Sequence, residues 1–139
     1  MGRVIMTIEG LNSALYEALA AANLGISGDI YFDNERPIDS AKEDIAINTP
    51  ALNGTPGNPQ NGYSNINIYV PRLRVVIGGK QRLVRDRVRE AALVEKVDEV
   101  VKSMSVQGLA YVDSESKEQS ADGNESFVCV RVFWNIYYV

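Results

Sequence analysis

The stretch Phe-Val-Cys-Val-Arg-Val-Phe-Trp-Asn-Ile-Tyr-Tyr-Val (residues 127–139) decides the fold. It is dense in β-branched and aromatic residues, which suit a pleated, half-buried surface. Side chains alternate across a strand, so Val128, Val130, Val132, Trp134, Ile136 and Tyr138 share one wholly apolar face. The opposite face mixes Phe127, Cys129 and Phe133 with Arg131 and Asn135. A strand this apolar would aggregate at an exposed edge, so it is predicted to lie at or near the centre of a sheet. Immediately upstream, residues 109–112 read as its hairpin partner. The polar run 113–125 joins the two, with Asp122-Gly123-Asn124 as the turn.

Working outward, Asn-Ile-Asn-Ile-Tyr-Val (65–70) alternates cleanly, placing Ile66, Ile68 and Val70 on one face, and Pro71 ends it. Ile45 and Ile47 alternate with Ala46 and Asn48, predicting a short strand before Pro50. Residues 50–62 between these strands hold three prolines and three glycines and are expected to form a flexible loop. Its flanks look like strands of one sheet, so residues 1–139 are read as a single domain. Residues 29–33 predict a further strand, closed by a polar turn at 34–37. Ahead of it, Ala14, Leu15, Ala18, Leu19 and Ala22 recur at helical spacing, with Asn12 or Ser13 as cap and Asn23 and Gly25 as stop.

After Gly78-Gly79 comes the longest periodic stretch, residues 80–104, free of Gly and Pro and predicted to be helical. Its apolar stripe moves, however. Val84, Val88 and Ala91 share one face, whereas Leu93, Val97, Val100, Val101 and Met104 share another. Either the helix meets different partners at its two ends, or it breaks near Ala91–Val94. Arg82, Arg85 and Arg89 fall together on a third face. The predicted order is thus α-β-β-β-α-β-β. That is an α+β fold, a mostly antiparallel sheet with two main helices packed on one side.

Composition excludes much chemistry. The chain of 139 residues has no histidine, which removes histidine bases, histidine triads and histidine metal sites. A single cysteine, Cys129, excludes intrachain disulfides and paired-cysteine zinc sites, and suits a reducing cytoplasm. Arg3 precedes no uninterrupted apolar core of a leader, because Thr7, Glu9 and Gly10 intervene. Nor does any run approach the roughly 18–20 apolar residues of a membrane span. The expectation is a soluble protein that stays where it is made, with no membrane partner.

Net charge is −4, but it is unevenly spread. Residues 1–71 carry three basic and eight acidic side chains, and residues 90–139 four and nine. The segment 72–89, from Arg72 to Arg89, carries seven basic side chains against Asp86 alone. This block can grip phosphates, which makes a nucleic-acid-binding protein the alternative function. Against that stand the acidic balance and the lack of aromatics among the arginines, so a solvated or protein-facing surface is the favoured reading.

The carboxylates Asp29, Asp33, Glu35, Asp39, Glu43 and Asp44 are the place to look for Mg²⁺ or Ca²⁺, and a metal-dependent nuclease is a distant third possibility. Their spacing matches no EF-hand loop, and they are read as a solvated strand end and loop. Gly78-Gly79-Lys80 lacks the upstream glycine of a phosphate loop and is followed by Gln81 rather than Ser or Thr. Cys129 has no histidine to activate it and reads as a small buried hydrophobe. With no nucleophile–base pair, no catalytic residue, cofactor or metal is assigned, and the chain is read as not an enzyme.

The element order resembles that of small tail-completion proteins of long-tailed bacteriophages. So do the segment Asn-Ile-Asn-Ile-Tyr-Val-Pro (65–71), the long helix and the ending Val-Arg-Val-Phe-Trp-Asn-Ile (130–136). The resemblance spans nearly the whole chain as pattern rather than as a diagnostic motif. It implies an α+β subunit of a ring, commonly a hexamer, that terminates the tail tube or joins it to the head connector. The implied partners are further copies of the chain and the tail-tube and head-connector proteins. DNA would only pass through the ring. The implied location is the bacterial cytoplasm during assembly and then the virion tail. A basic block between two acidic arms suits a head-to-tail interface, for which Arg82, Arg85 and Arg89 are the expected contact residues. Reversing their charge is expected to weaken assembly while leaving the monomer folded.

Overall fold

A computed structural model describes residues 6–54, 59–104, 109–117 and 125–136. The predicted α+β class is observed, with two helices and a mostly antiparallel sheet. In chain order the elements are α1 (Ile8–Ala21), β1 (Ile30–Phe32), β2 (Asp44–Asn53), β3 (Gln60–Pro71), β4 (Leu73–Ile77), β5 (Lys80–Val84), α2 (Arg87–Lys102), β6 (Leu109–Lys117) and β7 (Glu125–Ile136). Five strands form the main sheet in the order β1-β2-β3-β7-β6, while β4 and β5 make a separate two-stranded ribbon. Only β1 runs parallel to its neighbour; β2, β3, β7 and β6 are antiparallel in turn. Strand β7 is interior, as its apolar face requires.

The core lies between one sheet face and the two helices. Register sets Ile45 opposite Ile68 and Ile47 opposite Ile66, and then Ile66 opposite Val130 and Ile68 opposite Val128. These side chains are buried together with Leu11, Leu15 and Leu19 of α1 and Leu93, Val97 and Val101 of α2. Of the two stripes in 80–104, the one through Leu93 and Val97 faces the core. Val88, from the other, is 83% exposed. The drift has a simple cause. Residues 80–84 are strand, and the helix begins at Arg87, not at residue 80 and not after a break near Ala91–Val94. Asp86 caps it, its side chain accepting from the Arg89 amide at 3.1 Å.

Three other boundaries differ from expectation. Helix α1 is capped at Thr7, five residues before Asn12 and six before Ser13, because the Thr7 hydroxyl accepts from the Gly10 amide at 2.9 Å. In the Pro/Gly-rich segment 50–62, residues 50–53 and 60–62 are strand. β2 runs through Pro50 to Asn53, and β3 begins at Gln60. Two β2 residues, Thr49 and Pro50, oppose the single residue Ser64, and this bulge absorbs a proline that has no amide to give the ladder. Gly62 pairs with Leu52 and Trp134, where a Cβ would collide with the Ala51 carbonyl. Strand β6 also continues through the polar residues 113–117. The expected turn at 122–124, loop residues 55–58 and Tyr138 lie outside the described residues.

A buried polar chain threads the core. Trp134 Nε1 donates to Ser64 Oγ at 2.8 Å, Ser64 and Thr49 share a hydroxyl–hydroxyl bond of 2.7 Å, and Thr49 Oγ1 donates to Asn12 Oδ1 at 2.7 Å. The indole can only donate and an amide oxygen can only accept. The protons must therefore all point one way, with Ser64 donating to Thr49. β7, β3, β2 and α1 are thereby held at one level. Replacing Ser64 with Ala leaves the buried indole N–H without an acceptor. Ser64→Ala is expected to destabilise the fold by about 1–3 kcal/mol, with an unchanged m-value, in urea unfolding.

Candidate functional site

The charge-rich segment folds into a feature the sequence reading did not contain. Gly78 and Gly79 have φ of 61° and 78°, the pair of positive values that a two-residue type I′ hairpin turn needs. They join β4 to β5 with Leu73 opposite Val84, Val75 opposite Arg82 and Ile77 opposite Lys80. Directly opposed residues share a face, so an apolar row on β4 lies beside a cationic row on β5. Arg74, Lys80 and Arg82 are exposed. Leu73, Val76 and Ile77 are 46%, 70% and 51% exposed. Among the described residues, the ribbon makes no substantial packing with the main sheet or either helix, although an isolated two-stranded hairpin is marginal in water.

The three arginines do not form one stripe. Arg82 sits exposed on β5, Arg85 on the link to α2, and Arg89 in the first turn of α2. Arg85 Nη2 lies 2.8 Å from Glu90 Oε1, with both side chains nearly buried. Arg89 grips Glu43 with both forks, Nε to Oε2 at 2.6 Å and Nη2 to Oε1 at 2.9 Å, and donates to the Gly25 carbonyl at 3.0 Å. Arg85 and Arg89 thus fasten α2 to its own chain. Reversing Arg89 would press a carboxylate against Glu43 and damage the fold, so of the three only Arg82 presents its charge at the surface of the ribbon.

The acidic cluster is likewise divided. Asp44, 1% exposed, accepts from Arg36 Nε at 2.9 Å, from the Asp29 amide at 3.0 Å and from the Ser40 hydroxyl. The Arg36 guanidinium also lies 4.1 Å over the Tyr69 ring, a cation–π contact. Glu43 is taken by Arg89. Asp29 just before β1, the short edge strand, and Asp33, Glu35 and Asp39 after it remain exposed. Among the described residues no group of three or more acidic or cysteine side chains is placed to hold a metal ion. None of their helices is long and apolar enough to cross a membrane. Cys129 is 3% exposed, on the sheet face turned away from the helices.

What the structure brings together is therefore a basic and apolar ribbon at one place and an acidic edge at another. Leu73, Val76 and Ile77 were missed as surface residues, although their signal is present. Gly78-Gly79 between the short runs Leu-Arg-Val-Val-Ile and Lys-Gln-Arg-Leu-Val is a two-residue hairpin pattern.

The Arg89 fork holds the Glu43 carboxyl below the ordinary glutamate value of 4.5. A depressed carboxyl adds stability that is present above 4.5 and lost as pH falls through the folded value. Arg89→Ala is expected to cost about 1.5–3 kcal/mol at pH 7. The gap to wild type should narrow as pH drops below about 4.5, read by denaturant unfolding across pH. Set beside known proteins, the chain matches no family model, and no curated protein matches it significantly in sequence.

Proposed function

We propose that this chain is a structural subunit of a phage or prophage tail. Copies form a ring, six in the expected case, that terminates the tail tube or joins it to the head connector. One observation carries the reading. The β4–β5 ribbon displays exposed Leu73, Val76 and Ile77 beside Arg74, Lys80 and Arg82, while Asp29, Asp33, Glu35 and Asp39 form a separate acidic surface. Two different, complementary surfaces on one chain are the requirement for a head-to-tail interface, which closes into a ring when its rotation closes. The tail assignment is supported by the resemblance of residues 65–71 and 130–136 to tail-completion proteins.

A second reading rests on the same ribbon. Arg74, Lys80, Arg82 and Arg87 are all exposed, and a two-stranded ribbon fits the DNA major groove. Affinity for duplex DNA that falls steeply with salt, at micromolar protein and physiological ionic strength, would favour it.

The deciding experiment is electron microscopy of particles assembled with and without the gene. Overlong tails in its absence are the result expected of a terminator, and normal-length tails detached from filled heads that of a joining protein. Intact, normal particles would reject the tail role.

A further inference from the structure

Beside edge strand β1 lies a cleft of about 250 Å³ between the end of α1 and the segment leading into β1. Tyr16, Ile26 and Ile30 line it above the buried Leu19 and Leu24, polar atoms make up the larger part of its surface, and the exposed Asp29 stands at its rim. Asp33 follows immediately after the strand. By volume alone, one aliphatic side chain can enter an open cleft of this size. One face of the ribbon has the matching layout. Leu73, Val75 and Ile77 form an apolar row, with Arg82 and Lys80 directly across from Val75 and Ile77. Five residues of strand reach about 17 Å, far enough to cross to a neighbour.

We propose that the β4–β5 ribbon of one copy docks in the α1–β1 cleft of the next, Ile77 filling the cleft and Lys80 and Arg82 facing Asp29 and Asp33. The occupant is a second copy of this chain, because the exposed cations of the ribbon complement the exposed carboxylates that flank β1, and Ile77 stands beside Lys80 on the same face. This inference rests on the ring reading and supplies its interface. It also accounts for the edge of β1. Carboxylates at both ends repel an indiscriminate strand and admit a basic one.

The test is sedimentation velocity on the full chain and its variants, with circular dichroism melting to confirm folding. Ile77→Asp, or Lys80→Glu with Arg82→Glu, changes only ribbon residues outside the core. Either is expected to weaken association at least about tenfold without lowering the melting temperature. Adding Asp29→Lys and Asp33→Asn to the Lys80/Arg82 variant is expected to restore assembly. As an independent measurement, Ile77→Cys and Ile26→Cys in one chain should form intermolecular disulfides on oxidation. Wild-type rings that persist unchanged in all ribbon variants and give no cross-link would overturn the docking while leaving the ring reading intact. A wild-type chain that stays monomeric at every concentration would overturn the ring reading, and the docking with it.

Discussion

A one-residue slip between β3 and β7 would turn Val128, Val130 and Val132 out of the core and bring Cys129 and Arg131 in. The two strands pair over twelve positions, from Gln60 opposite Ile136 to Pro71 opposite Glu125, and each is flanked by a further strand. Both helices pack on the sheet face to which this register contributes its centre. Hydrophobic alternation selects between faces but does not distinguish shifts of two residues. The buried relay from Trp134 through Ser64 and Thr49 to Asn12 does, because only one alignment sets the indole N–H against that hydroxyl.

Within that frame, the arginines divide by what surrounds them. Arg36, Arg85 and Arg89 each meet a carboxylate in a sheltered place, where removing one partner strands the other. They fix the loop before β2 and the start of α2. The ribbon is different. Its charges and its exposed aliphatics lie on two strands that, among the described residues, pack little against the sheet or the helices, an arrangement that becomes favourable once a second surface covers it. Separation of clamping arginines from displayed ones is the physical basis for placing the interface on the ribbon.

Much of this was legible from local pattern. The α+β class, the interior position of β7 and the strands around Ile45–Ile47 and Ile66–Val70 follow from period-two alternation, because one sheet face is buried. The ribbon was not legible in the same way. Lys80, Gln81, Arg82 and Leu83 tolerate a helix as well as a strand, and the helical pattern of Leu93–Val101 extends into them by inertia. Gly78-Gly79 fails as a phosphate loop, and only the pairing of the strands on either side makes it a turn. Likewise the prolines and glycines of 50–62 suggested a loop, since no local rule shows that a bulge takes in Pro50 or that Gly62 fits where strands crowd.

Local sequence alone determined the buried faces of β2, β3 and β7, the lack of histidine chemistry and the gathering of positive charge into residues 72–89. These depend on composition and on a side-chain period that any strand or helix imposes. Only the tertiary structure decided which of those charges are spent inside the chain. Glu43 and Arg89 are 46 residues apart in the chain, and the fold alone brings them to 2.6 Å. A pairing over that separation depends on how helix α2 lies against the segment before β2, which no local spacing encodes.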